Sequence, residues 1–159
     1  MQILKIEQSD YADVLALNTA SVPHVNHIDA EQLDWFATHA AYFKAARIDN
    51  KLAGFLIGLR PGTTYASLNY RWFCDHFVDF AYVDRVAVND WAQRQGVADA
   101  LYADFADSQK GVGSMTCEVN IRPANIGSMK FHTRLGFKQI ESQEIDDGAK
   151  EVALMEKKL

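Results

Sequence analysis

The chain has 159 residues, 48% of them hydrophobic, and a formal net charge of −5. That length suits a single domain spanning residues 1–159 with one sizeable core. The acidic balance, with no basic cluster, argues against a nucleic-acid partner, and no apolar run approaches the roughly 20 residues that cross a bilayer, so no membrane partner is expected.

The first residues alternate like a strand from Ile3 to Ile6. They lack the longer apolar core of a secretory signal, so a cytoplasmic protein is expected. Ser9 reads as the N-cap of a first helix carrying Val14, Leu15, Leu17 and Asn18. Pro23 disfavours helix at Val22 and ends it before the stretch Ser21 to His27. Asp29 with Gln32 forms a capping-box pattern for a second helix, with Leu33, Phe36 and Ala37 on one face. Ala45 to Ile48 and Lys51 to Leu59 read as a hairpin turning at Asp49-Asn50, residues that tolerate left-handed geometry. Arg60 to Phe77 shows no clean period, is rich in aromatics, and reads as a long functional loop. Cys74, inside it, and Cys117 match no metal spacing, and two buried thiols are expected rather than a disulfide.

Tyr82 to Val88 reads as a central strand. After it come Gln93-Arg94-Gln95-Gly96-Val97-Ala98 and a helix with Val97, Ala98, Leu101, Tyr102 and Phe105 on its buried face. Gly96 lets the backbone bend tightly or approach a ligand closely. The first amides of a helix lack internal partners and carry the positive end of its dipole, so this turn suits an anion such as a pyrophosphate. The plainer reading is an ordinary strand-to-helix turn. No nucleotide-triphosphate loop is present, and Gly111-Val112-Gly113 lacks the third glycine of a dinucleotide fingerprint. Met115 to Ile121 follows as a strand and Asn125 to Leu135 as a short helix stopped by Gly136. Phe137 to Ile145 and Glu151 to Lys157 close the chain as a strand pair across Asp146-Asp147-Gly148, and edge pairing through them would allow a homodimer. The order β-α-α-β-β-β-α-β-α-β-β predicts an α/β fold, a mixed sheet flanked by helices.

Gln93-x-x-Gly96-x-Ala98 after a strand resembles the acyl-CoA pyrophosphate loop of the GNAT superfamily of N-acetyltransferases, Q/R-x-x-G-x-G/A. A second stretch resembles the family's N-x-x-A-x-x-L-Y-x-K-x-G-F: Asn125, Ser128, Phe131, Arg134 and Gly136-Phe137 fall in place. The element order is also the family's, so the resemblance covers nearly the whole chain and implies a mixed, mostly antiparallel sheet of the α+β kind. His132 departs from it, standing where the family most often has a tyrosine that protonates the leaving thiolate.

The resemblance implies an enzyme that moves an acetyl group from acetyl-CoA to an amine of a small molecule or peptide. It implies that the Gln93, Arg94, Gln95, Gly96, Val97 and Ala98 segment holds the pyrophosphate. Backbone groups of Val86, Ala87 and Val88 would pair with the pantetheine arm, and Asn125, Ser128 and Phe131 would line the donor. His132 is the candidate acid; its alternative is a packed core histidine bonded to a backbone carbonyl. Asp84 shares a strand face with Tyr82, Val86 and Val88 and is the candidate base; its alternative is a salt bridge or turn contact. The acceptor would meet Ser21, His24 and Asn26 in one loop, Tyr65, Asn69, Tyr70 and Trp72 in another, and Tyr82. Those aromatics could equally pack under their loop. His24-x-x-His27 lacks a completing carboxylate or thiol, and no metal is expected. The alternatives kept beside the enzyme are a non-catalytic acyl-CoA-binding or sensor domain of the same fold and a bulkier acyl donor.

Overall fold

The computed structural model describes residues 1–159. In chain order these form β1 (Gln2–Lys5), α1 (Tyr11–Ala20), α2 (Ala30–His39), β2 (Tyr42–Ile48), β3 (Lys51–Leu59), α3 (Leu68–His76), β4 (Ala81–Val88), α4 (Val97–Ser108), β5 (Ser114–Arg122), α5 (Ile126–Arg134), β6 (Lys138–Ile145) and β7 (Lys150–Lys158). The seven strands take the order β1-β2-β3-β4-β5-β7-β6. All recorded ladders are antiparallel except β4 with β5, which is parallel. The sheet is therefore mixed and mostly antiparallel, as expected.

The chain divides into two compact units. The first comprises Met1–Leu59 and Arg85–Lys110. In it, α4 packs on β2 and β3, and two glycines of β3 set the closeness. A Cβ on Gly58 would lie 2.4 Å from the Phe105 ring, and one on Gly54 would lie 3.0 Å from the Val97 side chain and 2.7 Å from the Ala87 carbonyl oxygen of β4. Asp49 and Asn50 turn the β2–β3 hairpin with φ of 50° and 61°, the left-handed pair their side chains tolerate. The Asp29–Gln32 capping box forms as expected: each side chain takes the other's amide, at 2.9 and 3.1 Å. Ser9 is no N-cap. It falls within a 3-10 turn, Gln8–Asp10, where the Asp10 carboxylate accepts the Glu7 amide at 3.1 Å. Ser9 is therefore already inside a helical turn capped at Glu7, and Asp10 takes the N-cap position of α1 instead.

The second unit comprises Arg60–Asp84 and Gly111–Leu159. Here the stretch expected as one long loop contains α3. Ser67 caps it, accepting the Tyr70 amide at 3.3 Å. Tyr70 and Phe73 face inward and meet Phe80, which precedes β4, and Tyr82 within it, with centroids 5.4–6.2 Å apart. Helix α5 ends as Gly136 predicts. Gly136 takes φ of 93°, its amide donates to Thr133, and the Phe137 amide donates to His132, both at 3.0 Å. Cys117 is buried and Cys74 half-buried, and both are free thiols. No helix is long and apolar enough to cross a membrane.

Candidate functional site

In the first unit, β4 ends where the Asn89 amide donates to Ala53 and its side-chain amide to Leu52, at 2.8 and 3.0 Å. A 3-10 turn, Asp90–Ala92, follows, and Gln93 and Gln95 fold back onto it, donating to Asp90 and to the Trp91 carbonyl at 2.8 Å each. Both glutamines thus shape the turn. Arg94 and Gly96 adopt left-handed geometry, φ 61° and 77°. Gly96 is the N-cap of α4 and supplies no side chain to it. Its carbonyl receives the first helical bond, from Ala100 at 2.9 Å. A Cβ at Gly96 would meet nothing within 4 Å. The opening amides of α4, from Val97 on, have no partner within the helix and carry the positive end of its dipole, and no side chain stands at the N-cap beside them. That is a fit for a phosphate group. Along β4, Val86 and Val88 are half-buried and Ala87 buried, the alternation expected if one face is offered to a ligand.

In the first unit the Ser21 to His27 loop, expected to meet the acceptor, is mostly exposed, His24 and Asn26 included. The Ser21 hydroxyl is committed to the Leu17 carbonyl at 2.8 Å. His27 borders an open groove of about 670 Å³ with Leu15, Ala16, Thr19 and Ile28.

In the second unit, Asn125 is the N-cap of α5 and its side-chain oxygen accepts the Ser128 amide at 3.0 Å. Phe131 is half-buried and lies under the Arg134 guanidinium, 5.4 Å from ring centre. His132 is 3% exposed. Its Nδ1 lies 2.8 Å from the Ser128 carbonyl and 3.2 Å from the Ser128 hydroxyl. A carbonyl only accepts, so Nδ1 carries the proton. The ring stands edge-on to Phe131 and Phe137, with centroids 5.2 and 5.3 Å away. Burial pulls its pKa below the usual 6.5, and the Ser128 carbonyl only partly offsets this.

Tyr82 is fully buried, and its hydroxyl donates to the Glu118 carboxylate, 2.9 and 2.8 Å from the two oxygens. Burial pushes this phenol well above its ordinary range, and the charges of Glu118 and Asp84 push the same way. Register explains the grouping. Parallel pairing sets Tyr82 opposite Thr116, and alternation carries Asp84 and Glu118 onto the same face. Asp84 and Glu118 are both half-buried. Of the remaining acceptor candidates, Tyr65 and Trp72 are half-exposed, and Trp72 stacks on His76 with centroids 3.8 Å apart. Asn69 and Tyr70 are buried. The Tyr70 hydroxyl donates to the Arg60 carbonyl at 2.8 Å and accepts the Thr63 amide at 3.1 Å, so it is a staple for the preceding loop. Asn69 accepts a bond from Gln143 of β6 at 3.1 Å.

Glu118 is the functional candidate that sequence reasoning passed over. The signal was its place in the Met115 to Ile121 alternation, but only the register with β4 shows that it meets Tyr82.

Among curated proteins, none matches this chain. Solved structures match it in fold. The ribosomal-protein-S18-alanine N-acetyltransferase of Escherichia coli is 18% identical with a TM-score of 0.72, over 99% of this chain and 92% of that one. The ribosomal-protein-alanine N-acetyltransferase of Brucella melitensis is 16% identical with a TM-score of 0.74, over 100% of both chains. The NatB acetyltransferase complex bound to a bisubstrate inhibitor contains a chain 15% identical with a TM-score of 0.78, over 100% of this chain and 90% of that one. The profile of the acetyltransferase (GNAT) family matches residues 3–137. With that match the chain belongs to the GNAT family, whose N-acetyltransferases move an acetyl group from acetyl-CoA to an amine.

Proposed function

We propose that residues 1–159 act as one acyltransferase domain whose acceptor is the free amine of a peptide N-terminus. The observation that supports donor binding most directly is the start of α4: a left-handed, side-chain-free N-cap with open space where a side chain would stand. In this reading Gln93 to Ala98 hold the pyrophosphate and the Val86–Val88 backbone pairs with the pantetheine arm. Asn125, Ser128 and Phe131 of the second unit line the donor. Bound acetyl-CoA supplies the thioester. The acceptor class is suggested by the fold neighbours, two of which carry names of ribosomal-protein-alanine N-acetyltransferases; a small-molecule amine is the second reading, favoured by the polar groups Ser21, His24 and Asn26.

The attacking nitrogen must be neutral and must lose a proton as it bonds to the acetyl carbon. Asp84 and Glu118 are the carboxylates placed to take that proton, directly or through water. Glu118 is held in one orientation by Tyr82, and Asp84 carries the task in the sequence-based expectation. As the carbon–sulfur bond breaks, the thiolate takes a proton from solvent. His132, neutral and bonded to Ser128, steadies the second turn of α5 and gives Phe131 its edge contact. Tyr65 and Trp72, half-exposed, are the groups of the Arg60–Phe77 stretch left to meet the acceptor.

The test is release of CoA thiol with acetyl-CoA and a panel of short peptides and small amines, for wild type, Asp84→Asn and Glu118→Gln. Loss of roughly 10²–10⁴-fold in kcat in one variant, with acetyl-CoA affinity kept, identifies the base. Wild type that acetylates small amines but no peptide would move the reading to the small-molecule acceptor.

A further inference from the structure

Arg85 follows Asp84 on β4 but faces the other way, and the reaction as read above does not use it. It is 6% exposed. Its Nη1 donates to the Asn18 side-chain oxygen at 2.9 Å and to the Asn26 backbone carbonyl at 3.0 Å. Asn18, fully buried in α1, closes the triangle, because its Nδ2 donates to the same Asn26 carbonyl at 3.0 Å. The guanidinium lies over the Phe36 ring of α2, 5.5 Å from its centre. Burying an arginine and an asparagine is costly unless their polar atoms are used. Here two buried donors converge on one carbonyl, in a loop whose side chains from Val22 to His24 are exposed. The Val22, His24 and Val25 amides bond locally, to Thr19 and Ser21, and so do not tie the loop to β4.

We propose that Arg85 and Asn18 are positioning residues for acceptor selection. They lock the Asn26 carbonyl, and with it the Ser21–His27 loop, to Arg85 at its place on β4. Selectivity for the amine thus depends on a buried network that touches neither donor nor acceptor. The inference rests on the reading of that loop as part of the acceptor site.

Asn18→Asp isolates the effect. The carboxylate keeps an acceptor for Arg85 and pairs with its charge, so the core contact survives. The Nδ2 donor, however, becomes an oxygen facing the Asn26 carbonyl, and that bond turns into a repulsion. Arg85→Lys is the second variant; it keeps the charge on a shorter reach and carries the same comparison if the first does not fold. Two measurements on the full chain are needed. Hydrogen exchange reads the amides of residues 21–27. Steady-state kinetics read the peptide amine that wild type uses best in a panel of short free-amine peptides, beside acetyl-CoA affinity by calorimetry.

The expected result is faster exchange confined to the loop and an acceptor KM raised about tenfold, the size of one lost hydrogen bond. Acetyl-CoA affinity stays at its wild-type value, and Arg85→Lys falls between wild type and Asn18→Asp. Unchanged exchange overturns the inference, because the network then does not hold the loop. Faster exchange with an unchanged acceptor KM also overturns it, because the loop then does not select the amine. Should wild type acetylate no peptide, the peptide reading fails separately; the same kinetics are then run on the small amine it uses best, and the exchange comparison still decides whether the network holds the loop.

Discussion

His132 occupies the last full turn of α5 with its Nδ1 proton given to Ser128 and its ring wedged between Phe131 and Phe137. A general acid at this place would have to be charged when the thiolate leaves, and burial shifts the ring the opposite way. His132→Phe should therefore fold and lose far less kcat than the roughly 10²–10⁴-fold that follows removal of a proton-transfer group. Its alkaline pH limb should match wild type. A loss of that full size, with the alkaline limb moved, would restore the acid role. Gly96 gives the complementary case. Its Cβ position is open, so the penalty of Gly96→Val comes from a left-handed φ and from bulk over the amides rather than from a clash within the protein. The backbone term is about 1–2 kcal/mol. Calorimetry should find acetyl-CoA binding severely weakened in a folded variant, and unchanged affinity would remove the pyrophosphate from this turn. Both positions stood out in the sequence because they lie in local patterns: the bonds between His132 and Ser128 and between Ala100 and Gly96 each span four residues. The Tyr82–Glu118 bond could not: it joins residues 36 apart across a parallel register that no local pattern encodes.

Helix α3 shows why one element escaped the sequence. Its buried positions are Asn69, Tyr70 and Phe73, so a polar residue sits where the apolar stripe should start. Leu68 is 57% exposed, placing the aliphatic residue of the segment on the wet side. Read by hydropathy, the period vanishes. What orders the helix is the aromatic contact of Tyr70 and Phe73 with Phe80 and Tyr82, together with the Ser67 cap. Strands such as β3 and β5, by contrast, were readable because they alternate or run apolar within themselves, and both hairpins because Asp and Asn stand at the left-handed turns. The Tyr70 hydroxyl ties α3 to Arg60 and Thr63. Tyr70→Phe keeps the ring and leaves a carbonyl, an amide and a hydroxyl without that partner. It should lower stability by about 1–3 kcal/mol, since buried polar groups lose a bond. Amide exchange between residues 60 and 65 should quicken while acetyl-CoA affinity holds. Unchanged exchange there would mean that the loop is held by other contacts.

Charge and burial over the whole chain set a pH window for stability, and the sign follows group by group. On the acid side, His132 is held below its usual 6.5 by burial. The unfolded chain takes up that proton first, so stability present above about 6.5 is lost as pH falls below it. Asp104 and Glu156 act in the same direction at lower pH. Burial alone would raise each carboxyl, but Lys44 and Tyr42 at Asp104, and Lys158 and Ser114 at Glu156, outweigh it and hold both below the ordinary range. On the alkaline side, burial raises Tyr82 and Tyr42 above 10, aided by Glu118 and Asp104 respectively, and burial raises Cys117 above 9. For these groups the unfolded chain loses its protons first, so the stability they contribute is lost as pH rises past those values. Urea unfolding across pH should give a plateau bounded near 6.5 and 9. His132→Phe should flatten the first step of the acid limb and leave the alkaline limb alone. Tyr82→Phe should do the reverse, with its own cost at all pH values because Glu118 loses a donor. An acid limb in His132→Phe that coincides with wild type would show that the carboxylates alone drive acid loss and that the imidazole titrates alike in both states.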